Sequence, residues 1–460
     1  MPTVIHNTTV ITGAPDGTVL HTASVVIEGD RITAVGPASD IAARFPSGDF
    51  IDGSAKAVAP GFANCHTHLS RVLARGIFED QNAPNVPPFS REGFLSFPKM
   101  TRDERDVMVR LACLEAIRSG TTLLMEVGSG IAEYADILQA TGLRLVLAEQ
   151  VSDRAGNGRV GEPGRISFDP AKRDEGRQRI GALHAVWHGA AEGRVAVAIA
   201  PHAPDMVSPE LFWSLLALQE ELDVLATVHL NQYWGEVAAV TETFGRLPTE
   251  HLDALGYLGK RLVAVHCRCM TPREEEILGR RGVTVCYTPA VTARGGNSAR
   301  VGDLSAAGSP IVLGTDEFAE DMVEVMRLSL LLERVRRRDS LAPTPREAWY
   351  WATASGYHAL GVTDGGVLKP SAKADLIVLG LRRPHLVPTT RIGSAFVHQG
   401  LASDVESVMV DGRWLMRDGK VLALDEDVIL ASAERVARAA WARALQGTGR
   451  AAPADLDLSS

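Results

Sequence analysis

The stretch that decides the fold reads V-A-P-G-F-A-N-C-H-T-H-L-S and covers residues 58–70. It combines a short apolar run, the turn signal Pro60-Gly61 and two histidines that one residue separates. If residues 62–68 form a β-strand, side chains alternate between its faces, so His66 and His68 project to the same side. Two imidazoles on one face can bind a metal ion, although a bare His-x-His motif is more often a half-buried pair that only hydrogen-bonds.

Apolar runs of strand length recur along the chain after this stretch. They cover residues 121–127, 143–148, 195–200, 224–229, 262–266, 283–287 and 311–315. Each is short and almost continuously apolar, which is typical of parallel strands covered on both faces. Helical patterns lie between them, such as the one over 101–119 and the one that Ser208-Pro209-Glu210 begins. With the His-x-His strand, the runs reach the eight strands of a (β/α)8 barrel, whereas a doubly wound sheet would leave the residues at the strand ends unexplained.

Both ends of the chain are rich in short strand patterns. These patterns cover residues 8–12, 23–28, 31–35, 374–379, 405–410 and 413–416. Two pairs at the C-terminal end, Asp411-Gly412 and Asp418-Gly419, are hairpin-turn signals. We therefore expect both ends to build one sheet unit with the barrel inserted between them. The segment 75–100 is too long for an ordinary loop and is expected to cover the site, and residues 426–445 are expected to form an amphipathic helix.

The composition limits the possible functions. The chain has 460 residues, a formal net charge of −9 and only short basic runs, so nucleic acid is not the expected partner. Its five cysteines are an odd number without Cys-x-x-Cys spacing, which favours neither a disulfide framework nor a zinc ribbon. The first residues lack a signal-peptide pattern, and no apolar run reaches the length of a membrane span. We expect a soluble, cytoplasmic protein with no membrane partner.

Polar residues stand at the carboxyl ends of five of the predicted strands. They are His66, His68, His202, His229, His266 and Asp316. In a barrel these strand ends converge on one mouth, where the chemistry of such folds takes place. Three histidines and one aspartate suit Zn²⁺, Fe²⁺ or Mn²⁺ and leave a position for water, whose pKa the metal lowers towards ~7. An aspartate beside the metal can accept the proton of this water, and His266, if it is not a ligand, can hydrogen-bond the developing oxyanion.

The motifs around these residues resemble the amidohydrolase superfamily, and within it the cytosine-deaminase-like and chlorohydrolase-like branch of S-adenosylhomocysteine deaminase and triazine hydrolase. The motifs are P-G-F-A-N-C-H-T-H-L, A-P-H-A-P, V-H-L-N-Q, V-H-C and G-T-D, flanked by S-G-T-T, G-V-L-K-P-S-A-K-A-D-L-I-V-L and V-M-V-D-G-R-W. The resemblance covers nearly the whole chain. It implies a (β/α)8 TIM barrel over 59–366, a composite β-sandwich from 1–58 plus 367–424, and a C-terminal helix and tail over 425–460.

The resemblance also implies roles for the residues at the strand ends. The ligands of one divalent metal ion, zinc before iron or manganese, would be His66, His68, His229 and Asp316. His266 would contact the attacking water and the substrate, Asp316 would take up the proton, and His202 would contact the substrate. Relatives with two metals carry a bridging lysine at the end of strand four, and residues 195–202 contain none, so one metal is expected. A small-molecule substrate and a homo-oligomer, dimer or tetramer, are the expected partners.

One position departs from the pattern of the deaminases in this branch. They carry a glutamate, the proton shuttle, three residues after the histidine of strand five, and this chain has Gln232 there. An amide can orient a substrate but cannot donate and regain a proton. Glu236 is a possible substitute. The acidic loop 317–321 could serve a basic substrate or be only a solvated loop and helix cap.

The expected function is a metal-dependent hydrolase that uses an activated water on a small cyclic or heteroaromatic molecule and displaces an amine, ammonia or another leaving group. Gln232 leaves two alternatives open. One is the hydrolysis of an amide, urea or carbamate C–N bond, and the other is a catalytically silent relative that binds a metal.

Overall fold

The computed structural model of the chain describes residues 1–78, 97–156, 158, 160–162, 164–446 and 456–458. Residues 79–96, the main part of the segment expected to cover the site, lie outside the described residues, as does most of the tail after residue 446. None of the helices in the described ranges has the length and apolar character that crossing a bilayer requires. All five cysteines are buried free thiols.

The described chain forms two sheets and a set of helices. The strands are β1 (Thr3–Ile11), β2 (Val19–Glu28), β3 (Arg31–Pro37), β4 (Asp49–Asp52), β5 (Lys56–Pro60), β6 (Phe62–Thr67), β7 (Thr121–Gly128), β8 (Arg144–Val151), β9 (Val195–Pro201), β10 (Leu225–Leu230), β11 (Leu262–His266), β12 (Thr284–Tyr287), β13 (Ile311–Leu313), β14 (Leu376–Gly380), β15 (Val405–Val410), β16 (Arg413–Arg417) and β17 (Lys420–Val421). The helices are α1 (Ala38–Arg44), α2 (Arg102–Arg118), α3 (Ala135–Ala140), α4 (Pro170–Trp187), α5 (Ala190–Gly193), α6 (Pro209–Leu222), α7 (Trp234–Phe244), α8 (Pro248–Ala254), α9 (Pro272–Arg281), α10 (Pro289–Arg294), α11 (Val301–Ala306), α12 (Met322–Arg337), α13 (Pro345–Ala352), α14 (Ala354–Ala359), α15 (Ile392–Gln399) and α16 (Glu426–Leu445).

Strands β6 to β13 are parallel, and each pairs with the next strand along the chain. A bridge between Thr67 and Asp316 brings the two edge strands of this sheet together. The alternation of these strands with helices confirms the predicted (β/α)8 barrel. Strand β6 ends at Thr67 and β13 at Leu313, so His68 and Asp316 lie just beyond the strands that were predicted to contain or end on them.

Small and branched side chains fill the inside of the barrel. The cluster includes Ala63, Cys65, Met125, Val265 and Val312, which come from four different strands. Alternate residues of the strands, such as those at 124, 145 and 285, face outward and pack against the helices. Because the interior is packed, functional side chains can gather only at an end of the barrel.

The helices begin where the sequence signals predict. Thr101 caps α2, because its side chain accepts from the Glu104 N–H while the Glu104 side chain accepts from the Thr101 N–H. Ser208 caps α6 and Pro209 occupies its first turn. The predicted terminal helix over 426–445 is α16. These caps fix where each helix leaves the carboxyl end of the strand before it.

The second sheet is mixed and contains both ends of the chain. Its strand order is β17-β16-β15-β14-β5-β1-β2-β3, with β4 beside β1. Strand β14 pairs antiparallel with β5, and this pairing joins the C-terminal strands to the N-terminal ones. The Ile32 N–H donates to the Ala372 carbonyl oxygen at 2.9 Å, so the sheet curls around an apolar core of its own. The expected composite β unit is therefore present.

A buried ion pair connects the barrel to this sheet. Arg144, at the start of β8, donates through Nε to Asp375 Oδ2 at 2.8 Å and through Nη2 to Asp411. The side chains of Arg144 and Asp375 are only 4% and 0% exposed. Asp375 belongs to the K-A-D-L-I-V-L motif and Asp411 to V-M-V-D-G-R-W. Both flanking motifs thus supply counter-charges for one arginine of the barrel.

Replacing Arg144 by methionine is expected to lower the free energy of unfolding by about 3–5 kcal/mol, because Asp375 then stays buried without its counter-charge. Urea denaturation followed by circular dichroism measures the change. The control is Arg413→Met, whose guanidinium pairs with Glu192 at the surface, where the two side chains are 66% and 76% exposed. The control is expected to change stability by less than ~0.5 kcal/mol. Equal losses in the two variants would show that the buried pair does not join the two sheets.

Candidate metal centre

The residues after β13 and at the end of β6 hold each other in place. The Asp316 N–H donates to the His66 carbonyl oxygen at 3.0 Å, and the His68 N–H donates to the Asp316 carbonyl oxygen at 3.1 Å. Asp316 has a φ of +68°, in the left-handed region that non-glycine residues rarely adopt. This strained turn places the aspartate side chain beside the two histidines of the His-x-His motif.

His68 and His229 point their Nε2 atoms at each other across a distance of 3.2 Å. His68 Nδ1 lies 2.6 Å from the Val127 carbonyl oxygen, and His229 Nδ1 lies 2.8 Å from the His202 carbonyl oxygen. Because a carbonyl oxygen only accepts, each Nδ1 carries the proton and each Nε2 presents a lone pair. Two facing lone pairs at this distance repel each other unless a cation lies beside both. The pair therefore fits a metal ion, with backbone carbonyls orienting both rings.

His66 and Asp316 complete the cluster. His66 is 0% exposed, and neither of its ring nitrogens has a hydrogen-bond partner among the described residues. Its Nε2 lies 3.6 Å from Asp316 Oδ1, and His68 Nε2 lies 3.7 Å from the same oxygen. The donor atoms of His66, His68 and His229 all lie within 4.8 Å of one another. A buried imidazole without partners is explained if it ligates a metal, so these four residues could hold one divalent ion.

Burial keeps the histidines of the cluster neutral. It lowers the pKa of His66 to about 3, and burial together with the neighbouring His66 lowers the pKa of His68 to about 3. Burial likewise holds the pKa of His229 well below its usual value. Neutral imidazole is the form that binds metals, so the cluster is ready to bind without releasing protons from its rings.

His266 and His202 also reach the same cavity. His266 Nδ1 lies 3.1 Å from Thr288 Oγ1 and 3.7 Å from Asp316 Oδ2. His266 has a φ of +74°, so β11 ends in a sharp turn at this residue. His202 is half-buried, and its ring centroid lies 5.3 Å from that of His229. The structure thus brings together all six residues that the sequence placed at the strand ends.

Gln232 lines the cavity, but Glu236 does not. The Glu236 carboxylate is buried and accepts from the N–H of Asn231 at 2.9 Å and from the N–H of Gln232 at 2.8 Å. Glu236 therefore fixes the turn after β10 and positions Gln232 instead of facing the metal cluster. The Gln232 side chain remains the group at the position of the expected proton shuttle.

The three acidic residues of loop 317–321 have three different roles. Glu317 lines the cavity with its carboxylate 3.6 Å from Arg71 Nε, so its charge is balanced within the protein. Asp321 caps α12 by accepting from the N–H groups of Val323 and Glu324, as the helix-cap interpretation expected. Glu320, by contrast, is completely buried and is not a solvated loop residue.

Glu320 belongs to a buried network behind the cluster that the sequence did not reveal. Its carboxylate accepts from Asn64 Nδ2 at 3.0 Å, from Thr67 Oγ1 at 2.5 Å and from Thr315 Oγ1 at 3.1 Å. Asn64 Oδ1 in turn accepts from the Thr315 N–H at 3.1 Å. The sequence did contain one signal for this network, since Asn64 lies two residues before His66 and its side chain is therefore on the same face of β6. The network ties β6 to the loop that carries Asp316.

The cluster forms the floor of a cavity of about 440 Å³ at the barrel mouth. Its walls include Arg71, Phe97, Glu126, Tyr233, Arg268 and Asn297. Glu126 accepts from the Leu69 N–H at 3.0 Å and from the Tyr134 hydroxyl at 2.8 Å, and burial raises the pKa of its carboxyl to about 8. A cavity of this size accommodates a small molecule.

Comparison with known proteins identifies the family of this chain. The Amidohydrolase family model matches residues 57–415, and a bacterial imidazolonepropionase-like composite domain model matches residues 25–47. The chain belongs to the amidohydrolase family. The 5-methylthioadenosine/S-adenosylhomocysteine deaminase of Pelotomaculum thermopropionicum is 32% identical over 438 residues, which are 94% of this amidohydrolase and 97% of the relative. The 5'-deoxyadenosine deaminase of Methanothermobacter thermautotrophicus is 32% identical over 422 residues, 90% of this chain and 94% of the relative.

Solved structures share the fold of this amidohydrolase. An adenosine deaminase from Xanthomonas campestris with bound zinc superposes with a TM-score of 0.86 at 24% identity and covers 96% of this chain and 98% of its own. A mutant of atrazine chlorohydrolase from Arthrobacter aurescens TC1, complexed with zinc and atraton, superposes with a TM-score of 0.83 at 22% identity over 95% and 100% of the two chains. The predicted family, with deaminases and a chlorohydrolase among its similar proteins, is confirmed.

Replacing Glu320 by alanine is expected to lower the free energy of unfolding by about 2–4 kcal/mol, because three buried donors lose their acceptor. Glu320→Gln keeps an acceptor oxygen in the same place, and it is expected to lose less than half as much. Thermal or urea denaturation of both variants checks the order. A glutamine variant as unstable as the alanine variant would mean that the charge of Glu320, and not its hydrogen bonds, supports the cluster.

Proposed function

We propose that this amidohydrolase is a mononuclear, zinc-dependent enzyme that hydrolyses a small cyclic or heteroaromatic substrate, with His66, His68, His229 and Asp316 as the metal ligands. The observation that carries the proposal is the facing pair of lone pairs on His68 and His229, 3.2 Å apart at the floor of the cavity. Nitrogen and oxygen donors of this kind suit zinc, and two solved neighbours of the same fold contain zinc. Strand β9, V-A-V-A-I-A-P, has no lysine to bridge a second ion, which supports a single metal.

The residues of the cluster divide the chemistry between them. The bound metal supplies an activated water as the nucleophile. Asp316 would take up the proton of that water, since its carboxylate lines the cavity and lies 3.7 Å from the ring nitrogens of both His68 and His266. His266, held beside Thr288, stabilises the charge that develops on the substrate. His202 contacts the substrate from the opposite wall.

Gln232 decides which leaving groups this site handles well. Its amide can orient the substrate but cannot carry the proton that a departing amine needs. Displacement of a group that leaves as an anion, such as a halide, therefore suits the site better than release of ammonia. Hydrolysis of an amide, urea or carbamate C–N bond is the second candidate, and because its leaving group is also an amine, it needs a proton donor other than Gln232. The complete ligand cluster favours both enzyme functions over a catalytically silent relative.

Two further parts of the proposal concern the oligomeric state and the cellular location of the protein. A homo-oligomer, dimer or tetramer, is supported by exposed apolar side chains on α12 and after it, among them Val335 at 77% and Leu341 at 78% exposure. A cytoplasmic location is supported by five buried thiols without a disulfide.

The zinc content of the purified protein tests the proposed ligands. We expect about one zinc ion per chain, and His68→Ala is expected to abolish stoichiometric binding because one of the two facing lone pairs is lost. The control is His184→Ala, which removes a histidine of α4 that stacks on His188 away from the cavity. Removing zinc with a chelator is also expected to lower the unfolding temperature, since zinc at ~100 times its Kd stabilises the fold by about 2.7 kcal/mol. Zinc content that is equal in the two variants would refute the ligand set.

Turnover of matched substrates tests the role of Gln232. Gln232→Glu is expected to raise the rate of ammonia release from aminopyrimidines or aminotriazines about 10²-fold, at the lower end of the gain from a general acid and base, because it restores a group that carries protons. Chloride release from the corresponding chloro compounds is expected to change much less. Ammonia and chloride assays on both enzymes, together with a panel of ureas and amides, measure the comparison. If the glutamate variant releases no more ammonia than the parent while it still displaces chloride, this position does not limit deamination.

A further inference from the structure

Arg268 is a cation in the cavity wall that the proposed mechanism does not use. It follows His266 by two residues, and the left-handed turn through His266 and Cys267, with φ of +74° and +50°, brings it to the cavity. Its Nε donates to the Gln232 carbonyl oxygen, and its guanidinium carbon lies 4.7 Å from the centroid of the Tyr233 ring. The backbone and the aromatic residue thus hold the guanidinium in one orientation at the cavity wall.

Among the residues that the structure describes, no carboxylate pairs with the charge of Arg268. Within the described ranges, no carboxylate oxygen lies within 4.0 Å of its guanidinium nitrogens. The other two arginines of the cavity are paired, Arg71 with Glu317 and Arg105 with Glu133. A partly buried cation without a counter-charge is unfavourable by itself, so its position is best explained by an anion that arrives with a ligand.

Gln232 adds a second unused donor on the same wall. The residue is 6% exposed, and its side-chain Nε2 has no hydrogen-bond partner among the described residues. Its backbone is fixed from both sides, because its N–H donates to Glu236 Oε2 at 2.8 Å and its carbonyl accepts from Arg268. Two donor side chains that line the same cavity, one of them charged, fit a group with two acceptor oxygens.

The balance of charge in the cavity favours an anion as well. The two positive charges of a divalent ion would be balanced by Asp316 and by the deprotonated nucleophile, and Glu317 is offset by Arg71. Arg268 adds a further positive charge, and Glu126, whose pKa burial raises to about 8, contributes little negative charge at neutral pH. A neutral or cationic substrate would leave this excess uncompensated.

We propose that Arg268, with the Gln232 amide beside it, is the specificity-determining residue that binds an anionic oxygen group of the substrate. The substrates are therefore heterocycles that carry a carboxylate or an ionised ring oxygen. This inference rests on the proposed function only in taking the cavity as the substrate site. It goes beyond the reaction, because it states which part of the substrate Arg268 and Gln232 recognise.

Binding of two matched probes to the zinc-loaded full chain tests the proposal. The probes are orotate and orotamide, which share one ring and differ in a carboxylate against a carboxamide. Calorimetry is expected to show that the parent protein binds orotate at least ~10-fold more tightly than orotamide. Arg268→Met is expected to weaken orotate binding about 10–100-fold and to change orotamide binding less than ~3-fold, because only the charge-assisted contact is lost.

Two further variants keep the result interpretable. Arg273→Met removes one positive charge outside the cavity, where Arg273 is 78% exposed and pairs with Glu250, and it is expected to leave the preference unchanged. Arg268→Lys keeps the charge but loses the planar fork, so it is expected to retain a reduced preference for orotate even if the methionine variant does not fold.

The outcomes separate this proposal from the proposed function. Equal binding of the two probes by the parent protein, or no orotate binding at millimolar concentration, would overturn the role of Arg268. So would a preference that survives Arg268→Met and disappears when zinc is removed, since the carboxylate would then bind the metal. Failure of the hydrolase proposal would appear differently, as missing zinc or missing turnover while the Arg268-dependent preference for orotate persists.

Discussion

The closure of the barrel between β6 and the loop after β13 is the constraint on which the site depends. Asp316 is joined by backbone hydrogen bonds to both His66 and His68, so the residues that close the barrel also supply three of the four proposed ligands. Behind them, Glu320 and Asn64 hold the same two elements together through buried hydrogen bonds. Because closure and ligand placement share these contacts, a change that loosens the barrel edge also moves the donor atoms.

The folded chain arranges its donors before any cation arrives. Burial keeps the imidazoles neutral, and the carbonyls of Val127 and His202 fix the tautomers of His68 and His229. The facing lone pairs oppose folding slightly and favour metal binding strongly, so the metal and the fold stabilise each other. The packed interior below the cluster prevents the rings from relaxing away from one another.

The sequence predicted the repeated parts of this structure and missed the contacts that cross between them. Apolar runs identified all eight strands, and the polar residues at the ends of five of them predicted the gathering of six polar side chains, because strand periodicity is local and barrel geometry brings the strand ends together. His68 was predicted to lie in the strand, but it lies one residue beyond β6, which stops at Thr67. In the sequence, Glu236 was a possible substitute for the proton shuttle and Glu320 belonged to an acidic loop, and only the fold reveals that both carboxylates are buried supports. The ion pairs of Arg144 with Asp375 and Asp411 join residues more than 200 positions apart in the sequence, a separation that no local pattern encodes.

The glutamine at position 232 and the charge of Arg268 serve one purpose in the proposed site, the binding of an anion. A carboxylate at position 232 would share the wall of the cavity with the guanidinium, and their attraction would lower the pKa of the acid. It would also occupy the positive charge that the structure leaves without a partner. With an amide at this position, Arg268 keeps its charge for a ligand, and the Gln232 side chain adds a neutral donor to the same wall. Glutamine in place of glutamate at position 232 thus removes a group that transfers protons and leaves Arg268 available to bind an anion.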